Sequence, residues 1–222
     1  YVTHMHAVMA LTFPSIIEIL GTLAFAISGI RLASAKRFDW FGAYVVGLIT
    51  AIGGGTIRDL LLDTTAFWML NSIYLTVTAV ALLLVIIFGR YLIRLNNTFF
   101  IFDTIGLALF VVVGIQKTIA ADFPFWIAII MGTITGAAGG VLRDILINEV
   151  PLIFRKEIYA MACVFGGIVY WICYRLDYAP HLTQVLAALT VIAVKYKLSL
   201  PRLRGDEEVE ESENSDREDS RQ

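Results

Sequence analysis

The sequence has few charged residues and few residues of the kinds that hold metals or form disulfides. Only 16% of its 222 residues are Asp, Glu, Lys or Arg, whereas about a quarter is usual in soluble domains. Its two cysteines, Cys163 and Cys173, lie ten residues apart in one apolar run, too far apart on a helix to bridge each other. This excludes a disulfide scaffold, and with three histidines in the chain we expect no metal site and no cofactor.

Hydrophobic residues are abundant, and the acidic residues are concentrated at one end of the chain. Hydrophobic residues make up 58% of the sequence. Residues 206–222 contain nine carboxylates and two arginines, a net charge of −7, so the first 205 residues carry +5 of the formal total of −2. We therefore predict an integral membrane protein in a lipid bilayer, followed by a disordered acidic tail over residues 205–222. No nucleic-acid partner is expected.

Seven apolar stretches are long enough, or nearly so, to cross a bilayer. They cover residues 13–30, 40–57, 67–89, 98–116, 124–142, 157–174 and 180–198. Leaving out Arg58 and Arg143, the lysines and arginines of the connecting segments divide eleven to two between the two sides. Since positive residues favour the cytoplasmic side, we predict a multi-pass protein of the inner (plasma) membrane, with its amino terminus outside and its carboxyl terminus in the cytoplasm.

The sequence repeats itself without gaps at a constant offset of 85 residues. The matched pairs are Glu18 with Asp103, Gly21 with Gly106, Phe25 with Phe110, Gly29 with Gly114, Gly47 with Gly132, Thr50 with Thr135, and Tyr74 with Tyr159. Each repeat contains three spans, an odd number, so the second copy must be inverted in the membrane.

The predicted fold is therefore an all-α integral membrane protein with seven transmembrane helices. Repeat one covers residues 13–92, repeat two covers residues 98–177, and the seventh helix covers residues 180–198. Together they form a transmembrane domain within residues 1–204.

The most distinctive repeated feature is a glycine-rich motif in the second and fifth spans. The first copy reads Gly53-Gly54-Gly55-Thr56-Ile57-Arg58-Asp59, and the second reads Ala138-Gly139-Gly140-Val141-Leu142-Arg143-Asp144. Glycine weakens a helix interior and allows close approach of another backbone or an ion. We therefore expect the second and fifth helices to be kinked or unwound at Gly53, Gly54, Gly55, Gly139 and Gly140.

Charged residues in apolar spans usually line an aqueous path or a bundle interior. The candidate pore and ion-pathway residues are Glu18, Thr50, Arg58, Asp59, Asp103, Thr135, Arg143 and Asp144. We predict one charge cluster near the outer side, from the first repeat, and an equivalent one near the inner side. Four acids and two arginines leave an excess of −2, which favours cations. Alternatively, the arginine–aspartate pairs are structural salt bridges between the repeats, and interfacial water reaches Glu18 and Asp103 at helix ends.

The doubled G-G-x-x-R-D motif, in two three-span repeats followed by a seventh span, resembles the TRIC family, the trimeric intracellular cation channels, in their prokaryotic form. The resemblance covers residues 13–198 and extends to related bacterial membrane proteins described as glycine transporters. It implies a homotrimer in which each subunit holds a pore, lined by the kinked second and fifth helices, that passes monovalent cations such as potassium. By position, it places Arg58, Asp59, Arg143 and Asp144 among the polar pore residues.

Two transport functions remain open at this point. The first hypothesis is a potassium-permeable cation channel. The alternative is a secondary transporter of glycine or another small amino acid, because inverted repeats with broken helices also suit alternating access. An intramembrane hydrolase is disfavoured because Asp59 and Asp144 each adjoin an arginine, whereas an aspartyl dyad shares a proton. We therefore expect no enzymatic activity.

Overall fold

A computed structural model describes residues 13–94, 98–155 and 158–197, which form nine helices and no strands. The helices are α1 (Phe13–Ala35), α2 (Trp40–Leu61), α3 (Phe67–Leu70), α4 (Ile73–Arg94), α5 (Thr98–Ala120), α6 (Phe125–Leu146), α7 (Leu152–Arg155), α8 (Ile158–Arg175) and α9 (Pro180–Lys197). The predicted acidic tail, residues 205–222, lies outside the described ranges.

Seven of these helices are long, and they correspond one to one to the seven predicted spans. By length and composition, α1, α2, α6 and residues 99–120 of α5 are long and apolar enough to cross a membrane. Shorter apolar segments, Ile73–Gly89 and Tyr159–Arg175, account for most of α4 and α8. The predicted all-α transmembrane fold is confirmed.

The predicted limits of the third span are wrong, because a separate short helix, α3, precedes α4. A second short helix, α7, precedes the helix of the sixth span in the same way. The third span was predicted to begin at residue 67, but α3 ends at Leu70 and α4 begins at Ile73. Asn71 between them is extended, and its side-chain oxygen accepts a hydrogen bond from the Ile73 amide at 3.0 Å. The chain therefore turns at Asn71, and one continuous helix cannot form there. Helix α7 begins 85 residues after α3, so this detail belongs to the repeat.

The turns that end the helices are also repeated. Arg37 and Asp122, which are 85 residues apart, follow α1 and α5 with φ of 61° and 60°. Asp63 and Asn148 follow α2 and α6 in the same way, with φ of 53° and 58°. Asp and Asn tolerate this left-handed region better than most residues. The repeat therefore extends from the helices to the backbone conformation of the connections.

The first helices of the two repeats run in opposite directions and pack against each other. The equivalent residues Phe25 of α1 and Phe110 of α5 stack with ring centroids 5.4 Å apart and an interplanar angle of 15°. Near the carboxyl end of α5, Lys117 contacts Glu18 near the amino end of α1, at 2.6 Å. Contact between equivalent residues on antiparallel helices places a pseudo-two-fold axis between Phe25 and Phe110. The repeats are inverted, as predicted.

Candidate functional site

Helices α2 and α6 cross at the doubled glycine motif. A Cβ atom on Gly54 would overlap the backbone carbonyl oxygen of Thr135, and a Cβ on Gly139 would overlap that of Thr50. The absence of side chains therefore brings the two backbones into direct contact, as small residues commonly do between membrane helices. These two contacts are equivalent under the 85-residue repeat, so the pseudo-two-fold axis relates one to the other.

The helices remain α-helical through the glycines. Trp40–Leu61 and Phe125–Leu146 are each one continuous α-helix, so the expected unwinding at Gly53–Gly55 and Gly139–Gly140 is not seen. A kink that keeps the helical hydrogen bonds stays a prediction. The physical reason for the continuity is close packing, because the opposite helix supports the backbone where the side chains are missing.

Thr50 and Thr135 place polar oxygen atoms at the crossing. Both side chains are buried. Each hydroxyl donates a hydrogen bond of 2.6 Å to the carbonyl four residues earlier, of Val46 and Met131 respectively. A hydroxyl that donates in this way still has acceptor capacity. The crossing is therefore narrow but not wholly apolar.

One charge cluster, the Glu18 cluster, consists of Glu18, Arg58, Asp59, Tyr74 and Lys117. Arg58 Nε donates to Asp59 Oδ1 at 2.8 Å, and Arg58 Nη2 lies 3.9 Å from Glu18 Oε1. Glu18 accepts closer hydrogen bonds from Lys117 Nζ at 2.6 Å and from the Tyr74 hydroxyl at 3.0 Å. The predicted grouping of the first-repeat charges is present, with Lys117 as the nearest cation to Glu18.

The second cluster, the Asp103 cluster, consists of Ser28, Asp103, Arg143, Asp144 and Lys195. Arg143 donates to Asp144 Oδ1 at 2.8 Å through Nε, and to Asp103 Oδ1 at 2.5 Å and Ser28 Oγ at 2.9 Å through Nη1. Lys195 Nζ donates to Asp103 Oδ2 at 2.7 Å. The Asp103 side chain is fully buried and Lys195 is nearly so. The structure therefore also brings the three predicted charges of the second repeat together.

Asp59 and Asp144 have a structural role that the sequence reasoning missed. Asp59 Oδ2 accepts a hydrogen bond from the Phe67 amide at 2.9 Å, at the start of α3. Asp144 Oδ2 accepts one from the Leu152 amide at 3.0 Å, at the start of α7. A carboxylate is favourable at such a position because the first amides of a helix have no intrahelical partner. Each aspartate thus joins an arginine to the amino end of a short helix.

The charge balance of the clusters differs from the predicted excess of −2. That prediction left out Lys117 and Lys195, which were assigned to connecting segments. With them, each cluster holds two carboxylates and two cations and is formally neutral. Lysine stems reach inward from helix ends because their methylene groups tolerate an apolar environment. The position of Lys195 inside the seventh apolar span was the signal in the sequence that could have placed this lysine among the intramembrane charges.

The surroundings of the two clusters are different. A cavity of about 460 Å³ adjoins the Glu18 cluster between α1, α5 and α8; its lining includes Glu18, Gln116, Lys117, Tyr170 and Tyr174. The Lys117 side chain is 37% exposed, whereas that of Lys195 is 3% exposed. The Glu18 cluster therefore adjoins an accessible space, and the Asp103 cluster is enclosed by protein.

Comparison with known proteins gives the family of the chain. A sequence model described as glycine transporter matches residues 15–90 and 100–175, two segments again offset by 85 residues. The chain belongs to the glycine transporter family. Among curated proteins, the UPF0126 inner membrane protein YadS of Escherichia coli (strain K12) is 41% identical to this chain over 199 residues, which cover 86% of this chain and 96% of YadS. A UPF0126 membrane protein of Vibrio cholerae is 40% identical over 84% of this chain and 81% of its own length.

The chain is also similar to solved structures of cation channels. The TRIC trimeric intracellular cation channel orthologue from Rhodobacter sphaeroides is 29% identical, with a TM-score of 0.78 over 82% of this chain and 94% of that chain. A structure from work on conductance through TRIC cation channels is 34% identical, with a TM-score of 0.76 over 86% and 97%. The predicted resemblance to prokaryotic TRIC channels is confirmed. These relatives are membrane proteins and channels and not enzymes, which agrees with the prediction that the chain is not an enzyme.

Proposed function

We propose that this protein is a monovalent cation channel, permeable to potassium, with one pore in each subunit of a homotrimer. The observation that carries the proposal is the crossing of α2 and α6 at Gly54 and Gly139, with a charge cluster on either side of it. The similarity to solved TRIC channels supports the same function. The permeant ions are the only ligands in this proposal, which includes no cofactor.

The proposed ion path starts at the cavity beside the Glu18 cluster and passes the crossing at Thr50 and Thr135. It ends at the Asp103 cluster. Carboxylate, hydroxyl and carbonyl oxygens along this path are the groups that replace the hydration shell of a cation. Arg58 and Arg143 are completely buried, so on this path they act as fixed charges that position the acids and do not move with the ion.

We also propose that the amino terminus faces outside and the carboxyl terminus faces the cytoplasm of the inner membrane. The eleven-to-two division of lysine and arginine supports this orientation. The Glu18 cluster would then be on the outer side and the Asp103 cluster on the cytoplasmic side.

One observation favours a second candidate, a secondary transporter of glycine or another small amino acid. The cavity presents Glu18 and Lys117 side by side, one negative and one positive group. Such a pair is complementary to the ammonium and carboxylate of a zwitterion. The description of the family model agrees with this candidate.

Purified protein in liposomes separates the two candidates. A channel gives potassium flux that follows an imposed voltage and unitary currents in planar bilayers. A transporter gives saturable glycine counterflow without unitary currents, and that result would overturn the channel proposal.

A pair of matched variants tests the path within the channel. Thr135→Val removes the hydroxyl at the crossing, and we expect it to lower the unitary potassium conductance. Thr133→Val is the control, because Thr133 makes the same type of hydrogen bond, to the Ile129 carbonyl at 2.9 Å, two residues away. Equal conductance in the two variants would refute the placement of Thr135 on the path.

A further inference from the structure

The two charge clusters are equivalent by repeat symmetry, but the lysine of each cluster comes from a helix that is not equivalent to the other. Lys117, in the Glu18 cluster, lies near the end of α5 and belongs to the second repeat. Lys195, in the Asp103 cluster, lies on α9, which is outside both repeats. The seventh helix therefore adds a cation to only one of the two clusters.

The ammonium group of Lys195 is held as a bound cation would be. Its Nζ is 2.7 Å from Asp103 Oδ2. It also lies 4.3 Å from the ring centroid of Tyr159 and 5.0 Å from that of Phe100. Aromatic faces within about 6 Å attract a cation through their quadrupole, most strongly when water is excluded. A carboxylate and two rings thus form a site for one monovalent cation.

The surroundings of the Tyr159 hydroxyl indicate that this site has a second state. It is buried and has no hydrogen-bond partner, whereas the hydroxyl of its repeat equivalent, Tyr74, donates to Glu18. A Cβ atom on Gly140 would be 3.1 Å from the Tyr159 hydroxyl, 3.6 Å from Asp103 Oδ1 and 3.7 Å from Arg143 Nη2, so both oxygens lie close to Gly140, beside the guanidinium group. An unpaired buried hydroxyl is costly and requires an explanation. A cation at Asp103 would use the oxygen that Lys195 leaves unpaired.

We propose that Lys195 is a tethered occupant of a monovalent-cation site formed by Asp103 and Tyr159, and that it competes with a permeating potassium ion for this site. The inference rests on the proposed channel function. While Lys195 is bound, the Asp103 cluster is formally neutral; when it withdraws, the remaining groups carry −1 and attract a cation. Lys195 then controls whether a cation can bind at one end of the path.

The first test compares potassium flux into liposomes for Lys195→Met and Lys195→Arg with that of the unmodified protein. A site with an excess of one charge sign raises the local concentration of counter-ions by about 10- to 1000-fold; for Lys195→Met we expect an increase at the low end, roughly tenfold. Lys195→Arg keeps the positive charge and should stay close to the unmodified protein. Lys36→Met is the matched control, because Lys36 is also a paired lysine but is 43% exposed.

The second test replaces the tethered cation with a free one. Lys195→Ala removes three carbons and the ammonium group, which are the atoms of n-propylammonium. We expect the potassium flux of Lys195→Ala to be raised, as for Lys195→Met. Added n-propylammonium should lower this flux toward that of the unmodified protein, and it should not change the flux of the unmodified protein itself. If Lys195 had a purely structural role, n-propylammonium would not inhibit the potassium flux of Lys195→Ala selectively. The double variant Asp103→Asn with Lys195→Met should lose the gain in flux, since it removes the carboxylate as well.

The outcomes separate the inference from the proposed function. Absence of potassium flux in the unmodified protein would overturn the proposed function. Normal flux in the unmodified protein, with no increase in Lys195→Met, would overturn the inference alone, and so would failure of n-propylammonium to inhibit Lys195→Ala. If Lys195→Met and Lys195→Ala do not elute as folded protein in detergent, Lys195→Gln, which keeps a polar chain without charge, decides the result by the same flux criterion.

Discussion

Replacement of Gly54 by alanine tests the helix crossing most directly. The added Cβ would overlap the backbone carbonyl oxygen of Thr135. A backbone atom inside a packed helix cannot rotate away as the end of a side chain can. Helices α2 and α6 must therefore move apart along the direction of this contact.

The size of the effect can be worked out from this geometry. Overpacking of a well-packed interior costs about 1–3 kcal/mol, while alanine recovers about 1 kcal/mol of helix propensity relative to glycine. The net loss of stability is then up to about 2 kcal/mol. For a chain of this size, that corresponds to a decrease in melting temperature of roughly 4–8 °C.

The assay is thermal denaturation in detergent, followed by size-exclusion chromatography of the protein that remains folded. Gly139→Ala should show the same decrease, because Gly139 contacts the Thr50 carbonyl in the equivalent way. Gly89→Ala is the control, since a Cβ on Gly89 would meet no other atom within 4 Å and alanine favours the helix. Equal melting temperatures for Gly54→Ala and Gly89→Ala would refute the reasoning.

Two further predictions concern the ion pairs and use the same assay. Asp144→Ala should lower stability by about 3–5 kcal/mol, because it removes one carboxylate partner of the fully buried Arg143 and the cap of α7; melting close to that of the unmodified protein would contradict this role. Glu149→Gln should change stability by less than about 1 kcal/mol, because its ion pair with Lys36 is 33–43% exposed; a larger loss would show that this pair is coupled to the fold.

The repeat and the charged groups could be predicted because inverted copies of one unit keep equivalent residues. Glycines and charges in apolar spans are rare enough for their common offset to be visible in one sequence. The pairing of Glu18 with Arg58, and of Asp103 with Arg143, followed from helix direction and position along each span. The limits of the third span could not be predicted from the sequence, because α3 and α4 are both apolar and only the turn at Asn71, with its side-chain hydrogen bond, separates them.

The sequence by itself determined that six apolar helices are arranged as two inverted three-helix units, followed by a seventh helix, since hydrophobic length, the 85-residue repeat and the parity of the spans can all be read from the order of the residues. Only the tertiary structure decided that Gly54 and Gly139 are contact points in unbroken helices and that Lys117 and Lys195 neutralise the clusters. It also decided that the carboxylates of Asp59 and Asp144 accept hydrogen bonds from the first amides of the short helices. These features depend on distances between groups far apart in the chain, such as the 2.7 Å between Lys195 and Asp103, which arise only when the helices pack.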